Sequence, residues 1–246
     1  MKKYILIGLS ILITACNLGT QPPTPESPAT QTPLRFDELN ASPSPIPVTA
    51  TETFVLIPTP EPPPLYFTDE FTSASPYWEF LQTGGLNTPT TSYENDSLRI
   101  DISSPDTWMI GIHNAHTYNN VFIKTRANIT STGSFGLICR YNENGWYEFN
   151  IYSDGTYNLL YGKQLTEGIA KYIPLSTSTS GAITSSSEIG LHCQDNFLLA
   201  YVNGNLIRRI DVTNYGLGEG QVGISASSVA ESPINIHFEW AKVEQD

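Results

Sequence analysis

The stretch Phe135-Gly136-Leu137-Ile138-Cys139-Arg140-Tyr141-Asn142-Glu143-Asn144-Gly145-Trp146-Tyr147-Glu148-Phe149-Asn150-Ile151-Tyr152-Ser153-Asp154-Gly155 decides the fold. Tyr147, Phe149 and Ile151 fall on one side of a period-two alternation, and Glu148, Asn150 and Tyr152 on the other. That period is the signature of a β-strand. Asn144-Gly145 and Asp154-Gly155 are turn signals, because asparagine, aspartate and glycine tolerate the left-handed backbone that tight hairpins need.

The same grammar extends in both directions. Val121, Ile123, Ala127 and Ile129 oppose Lys124, Arg126 and Asn128, while Ile234, Ile236, Phe238 and Trp240 oppose Asn235, His237 and Glu239. Strands are expected near 66–71, 93–103, 108–115, 121–130, 135–141, 146–153, 156–162, 171–175, 187–193, 197–202 and 206–212, with two more inside 222–243. No convincing amphipathic helix interrupts them. Many short antiparallel strands in one domain, residues 65–246, predict an all-β, two-sheet antiparallel jelly-roll sandwich.

Upstream the composition changes. Lys2 and Lys3 precede a short apolar run, Ile5 to Ile13, which is too short to span a bilayer and reads as an export signal over residues 1–15. Leu12-Ile13-Thr14-Ala15-Cys16 resembles a bacterial lipobox, which implies lipidation of Cys16 and anchoring in the cell envelope by acyl chains, with the domain outside the cytoplasmic membrane. Residues 16–64 carry 13 of the 18 prolines and form a Pro/Thr/Ser-rich tether, since proline removes amide donors and fixes φ. Its 49 residues give a coil reach of about 40 Å. The island Leu34-Arg35-Phe36-Asp37-Glu38-Leu39 reads as plain linker, with a short docking helix as the alternative.

Lys and Arg number 12 against 24 Asp and Glu, a net charge of −12. Loss of Lys2 and Lys3 on processing makes it 10 − 24 = −14. An acidic chain with only 15% charged residues has no electrostatic footprint for nucleic acid. With Cys16 assigned to lipid, Cys139 and Cys193 remain in an oxidising compartment. Cys139 shares the parity of Phe135 and Leu137, Cys193 that of Ile189 and Leu191, so both face the core and a bridge between packed strands is expected. Two free buried thiols are the alternative.

The residues also resemble a known group. Gly136-Leu137-Ile138-Cys139-Arg140-Tyr141, Trp146-Tyr147-Glu148-Phe149 and Ser153-Asp154-Gly155 look like concanavalin A-like lectin/glucanase domains. So do His192-Cys193-Gln194, Leu199-Ala200-Tyr201-Val202-Asn203-Gly204, the opening Asp69-Glu70-Phe71 with Trp78, and the closing Phe238-Glu239-Trp240. The likeness is to bacterial lipoprotein members, near the 3-keto-disaccharide hydrolase-like group, and covers most of residues 65–246. It implies the sandwich but not an activity, because the architecture hosts many.

A three-residue loop with a bulge at Gly145 sets Arg140 opposite Glu148, and a similar loop at Gly155 sets Asn150 opposite Asn158. One face then collects Arg126, Arg140, Glu148, Asn150 and Asn158, with Trp146 and Tyr152 alongside. Aromatic rings cover the C–H faces of a sugar while amides and charges bond its hydroxyls. The bland alternative is a solvated face with cross-strand ion pairs. Catalytic residues are not expected. Glycoside hydrolysis needs two carboxylates a few ångströms apart, and the resembled glucanases carry Glu-x-Asp-x-x-Glu, whereas Glu94-Asn95-Asp96 runs on to Arg99. Glu148 beside Arg140 is expected to be ionised and a poor proton donor. His113 and His116, three apart in a strand, point to opposite faces and make no zinc pair. The resemblance leaves calcium open at Asp69, Asp96 or Asp154, with no dense Asp/Asn loop to hold it. The resulting expectation is a monomeric, envelope-anchored domain recognising an extracellular carbohydrate without catalysis. A glycoside-acting hydrolase and an ectodomain that binds protein are the rivals.

Overall fold

The computed structural model describes residues 61–130, 132–230 and 232–245. The export signal, Cys16 and the tether up to residue 60 lie outside the described residues. Among the described residues there are fifteen strands and no helix. In chain order they are β1 (Phe67–Asp69), β2 (Trp78–Gly84), β3 (Thr90–Tyr93), β4 (Leu98–Ile102) and β5 (Thr107–Tyr118). Then come β6 (Val121–Ile129), β7 (Gly133–Asn142), β8 (Gly145–Tyr152), β9 (Thr156–Thr166) and β10 (Ile169–Thr179). The last five are β11 (Ser186–Gln194), β12 (Phe197–Val202), β13 (Asn205–Asp211), β14 (Gly220–Ser228) and β15 (Ile234–Glu244).

They form two antiparallel sheets. One runs β13-β12-β11-β6-β15-β4-β3, with β1 added along β15; the other runs β10-β9-β8-β7-β14-β5-β2. Local turn chemistry builds the hairpins. Asn203 and Gly204 both take positive φ, and Val202 pairs with Asn205 across them, the two-residue turn whose twist suits a hairpin.

Two strands escaped the sequence pattern. β2 is an edge strand of mixed burial with no clean alternation. β3 lies just ahead of the expected strand 93–103 and shares only Tyr93 with it; the turn at Asn95 and Asp96, both with φ of 53°, confines the later strand to β4. The Glu94 and Ser97 amides each bond the other's carbonyl, at 3.0 and 3.1 Å. Glu94-Asn95-Asp96 is therefore a hairpin turn.

Facing side chains of both sheets make one core, with Leu98, Ile100, Ile123, Phe135, Leu137, Tyr147, Phe149, Leu191, Ile224, Ile236 and Phe238 all buried. Cys139 of β7 and Cys193 of β11 are fully buried in it and bonded to each other, Cα atoms 6.6 Å apart, so the disulfide ties sheet to sheet. The expected parity of β15 fails at one point. Ile234, Ile236 and Phe238 are buried, but a bulge between Phe238 and Trp240 shifts the register, Ala241 and Val243 take over the core side, and Trp240 turns outward.

Candidate functional site

β8 is buried on both faces. Its core side carries Tyr147, Phe149 and Ile151; its other side presents Trp146, Glu148, Asn150 and Tyr152 in a row. The turn at Asp154-Gly155 aligns β9 as expected, with Asn150 opposite Asn158. The turn before β8 does not behave as expected. Asn142 pairs with Gly145 and Cys139 with Tyr147, so Ile138, not Arg140, lies opposite Glu148. The extra residue is taken up at Arg140, which sits at φ 53°.

That bulge removes Arg140 from the row. Its guanidinium donates to the carbonyls of Asn119 at 3.1 Å, Leu217 at 3.1 Å and Asp195 at 2.6 Å, pinning three loops at one rim of the sandwich. Burial lowers its pKa, as it does for a cation with no carboxylate bonded to it. Arg126 is also elsewhere. It belongs to β6 in the other sheet, exposed and paired with Glu188 at 3.2 Å. Of the seven expected binding residues, the structure brings together Trp146, Glu148, Asn150, Tyr152 and Asn158 and leaves Arg126 and Arg140 out.

The row lines the inside of a curl. The two edge strands of the seven-stranded sheet meet: the Gly84 amide of β2 donates to the Gly168 carbonyl ahead of β10 at 3.0 Å, and Thr83 Oγ1 lies 3.1 Å from Tyr172 Oη. Tyr172 reaches across the curl to stack on Trp108 of β5, centroids 4.9 Å apart, and meets Trp146 edge-on at 5.7 Å. Ile110, Ile112, Ile138 and Trp146 make a second apolar cluster there. The Trp146 indole lies flat over Gly162, where a Cβ would come within 2.2 Å of the ring. Trp108, Tyr172 and Thr83 were missed by the sequence reading. Trp108 shares the parity of Ile110 and Ile112, but nothing local tells that this side of β5 is also covered.

Within this enclosure Glu148 is fully buried. Its Oε2 accepts from Trp146 Nε1 at 3.0 Å, while Oε1 has no partner. Burial raises its pKa, and the polar side chains of Ser225, Trp146 and Asn150 pull it back by less. The expected ionised Glu148–Arg140 pair is therefore replaced by a carboxyl pushed toward its neutral form with no cation beside it. Asn150 Oδ1 accepts from Ser225 Oγ at 2.9 Å, and Asn150 Nδ2 and Trp108 Nε1 are buried without partners. Burial also drives the Tyr172 phenol far up, with the Glu148 charge adding to it.

A cavity lies at each end of the row. At the Tyr152 end, about 420 Å³ is lined by Tyr152, Asp154, Thr156, Asn158, Thr177 and neighbouring backbone. Asn158 Nδ2 donates to Tyr152 Oη at 3.1 Å, and its buried Oδ1 has no partner. At the Trp146 end, about 450 Å³ is lined by Phe80, Gln82, Ile110, Tyr141, Trp146, Gln164 and Glu167. Trp146, which lines that second cavity, is also the residue whose indole bonds Glu148.

The histidines separate as expected, His113 buried and His116 partly exposed with Nε2 2.7 Å from the Pro63 carbonyl. Of the carboxylates considered for calcium, Asp69 accepts from the Phe71 amide and Trp78 Nε1, and Asp154 from the Thr156 amide. No group of three His, Cys, Asp or Glu side chains able to hold a metal ion occurs among the described residues.

No protein-family model and no curated protein sequence matches the chain. Solved structures do. A β-glucanase from Bacillus licheniformis is 14% identical over 74% of this chain and 98% of its own, with a TM-score of 0.51. A glycoside hydrolase family 16 endo-glucanase from Bacteroides ovatus is 9% identical over 72% and 99%, with a TM-score of 0.52. A Bacillus subtilis protein of unknown function with a galectin-like fold is 12% identical over 73% and 94%, with a TM-score of 0.51. At such identities the likeness speaks for fold alone. Two antiparallel sheets, the order of their strands and these neighbours make the described residues a concanavalin A-like jelly roll.

Proposed function

We propose that this domain recognises an extracellular carbohydrate without cleaving it, and that the ligand enters the cavity beside Tyr152 and Asn158. The observation that carries the reading is the Tyr152–Asn158 pair, joined by a 3.1 Å hydrogen bond and lining a cavity otherwise rich in hydroxyls. The Tyr152 ring offers an apolar face, and Asp154, Thr156 and Thr177 offer further acceptors and donors. The glucanase neighbours act on sugars and support the ligand class by analogy of fold.

A hydrolase is the second reading, and one observation favours it. Glu148 is a carboxyl with a raised pKa, the property of a proton donor. Against it, Glu148 is fully buried with its carboxyl bonded to the Trp146 indole, and Glu94-Asn95-Asp96 runs on to Arg99 where the glucanase pattern would place its last carboxylate. We further propose that lipidation of Cys16 holds the protein in the cell envelope, with residues 16–64 as spacer.

Calorimetric titration of a panel of neutral polysaccharides tests the binding reading. Tyr152→Ala and Asn158→Ala are expected to weaken binding at least tenfold while Glu148→Gln leaves it unchanged. Binding insensitive to both cavity variants overturns the site. Turnover of a glycoside that Glu148→Gln abolishes overturns the non-catalytic reading. Cys16→Ser should release the protein from the membrane fraction if the anchor reading is right.

A further inference from the structure

The outward face of the eight-stranded sheet carries a feature that the core does not require. Continued alternation along β15 would bury Trp240, yet the bulge after Phe238 aims it at the surface. Bulges re-aim side chains at the expense of ladder hydrogen bonds, and this one is built in on both sides. The Trp240 carbonyl accepts from Thr125 Oγ1 at 2.5 Å, the hydroxyl of a buried residue, and Glu239 Oε1 accepts from Asn128 Nδ2 at 2.9 Å.

Trp240 completes a cross-strand row, Glu188 on β11, Arg126 on β6 and Trp240 on β15. The adjacent row is Gly190, Lys124, Lys242 and Thr68. Gly190 matters because Phe122 lies across it: a Cβ there would come within 2.7 Å of the ring. Phe122 is flattened against the sheet beside Tyr201, centroids 5.1 Å apart. The result is a hollow of about 120 Å³ at Phe122, Gly190 and Tyr201, and another of about 360 Å³ at Thr68, Glu70, Trp240 and Lys242. Both are lined by Lys124 and Glu188, so the two hollows adjoin there as the two parts of a shallow trough. It crosses from β12 to β15, three strand spacings or about 14 Å.

We propose that this trough, with Tyr201 at one end and Trp240 at the other, is a second glycan-binding site that takes a segment of a neutral polysaccharide chain. The rings would cover the C–H faces of successive sugars. The floor would bond their hydroxyls with groups already held in place, Arg126 with Glu188 at 3.2 Å, Lys242 with Glu244 at 2.6 Å, and Lys124 with the same Glu244. Of the residues lining the two hollows, Lys124 and Lys242 are matched by Glu70 and Glu188, and this even balance selects a neutral ligand over an anionic one. The site rests on the bulge, the two rings and the trough, and does not need the Tyr152 cavity to bind anything.

The test uses the full chain and four probes: laminarin, mixed-linkage β-glucan, xylan and, as the acidic control, polygalacturonate. Affinity electrophoresis and calorimetric stoichiometry are read for wild type, Trp240→Ala, Tyr201→Ala, Tyr152→Ala and the Trp240→Ala/Tyr152→Ala double variant, with melting temperature as the folding control. At least one neutral glycan is expected to bind, with Trp240→Ala and Tyr201→Ala each weakening it at least tenfold or removing one equivalent in a folded protein. Tyr152→Ala should leave that contribution intact. Loss of binding only in the Tyr152→Ala arm overturns the trough and keeps the cavity. Preference for polygalacturonate, or no response to either trough variant, overturns the proposal outright.

Discussion

The inside of the curled seven-stranded sheet and the outside of the eight-stranded sheet are built from the same alternation, yet they are opposite in character. Inside the curl, Glu148 and Asn150 are buried and Trp108 is half-buried, and each holds a buried polar atom that is unpaired. On the other sheet Arg126, Lys124, Lys242, Glu188 and Glu244 are solvent-accessible and paired with one another. Period two says which residues share a face. It does not say what lies over that face, and here the difference is a single edge strand, β10, carrying Tyr172 across to Trp108 and Thr83.

Breaking the link between the two sheets should have the largest effect. Replacing Cys139 and Cys193 by serine opens a loop of sequence separation 54 and should cost about 4 kcal/mol in urea unfolding. Arg140→Ala acts at the same rim. It leaves three carbonyls without their donor and should cost roughly 3 kcal/mol while leaving glycan affinity unchanged in the folded fraction. An Arg140 variant that folds normally but loses binding would return that residue to the site.

A direct contrast of the two faces comes next. Tyr172→Ala empties a stacked position between two tryptophans and should cost about 2–4 kcal/mol, with Trp108 and Trp146 newly open to acrylamide quenching. Trp240→Ala, on the outer face, should change stability by less than about 1 kcal/mol. Equal losses would mean that the outer face is as structural as the inner one.

The buried titratable groups should give opposite pH dependences. His113 lies among Phe67, Tyr77 and Trp78, and burial lowers its pKa from 6.5 to about 4, with the Asp69 charge opposing and the His116 charge assisting. Between those values the unfolded chain binds the proton and the folded chain does not. Stability is therefore complete above pH 6.5 and falls by roughly 3 kcal/mol as the pH drops to 4. Denaturation midpoints across that window, flattened in His113→Phe, check it. Glu148 is the reverse case: its raised pKa favours the fold at low pH, and that contribution fades as the pH rises. Glu148→Gln, which mimics the neutral acid, should raise the melting temperature at pH 8 and change it little at pH 4.

How much was legible in advance depended on distance along the chain. The Asn150–Asn158 pairing followed from a turn four residues away, and the core parity of both cysteines followed from their own strands. Arg140 was misplaced because the bulge sits in the strand, two residues before the Asn142–Gly145 closure, and is held there by carbonyls from three distant loops. Arg126 was placed with Glu148 because parity alone does not distinguish one sheet from the other.

The sequence by itself determined the sandwich and the core-facing parity of Cys139 and Cys193, because alternation and tight turns act over a few residues and a side chain's face follows from its own strand. Which face is sealed, where a bulge reverses the alternation, and which charged groups meet depend on contacts between residues tens of positions apart. Thr83 with Tyr172 and Thr125 with Trp240 are two such contacts. Only the packed tertiary structure decides these, since the cost of each depends on whatever else the folded chain has already brought to that spot.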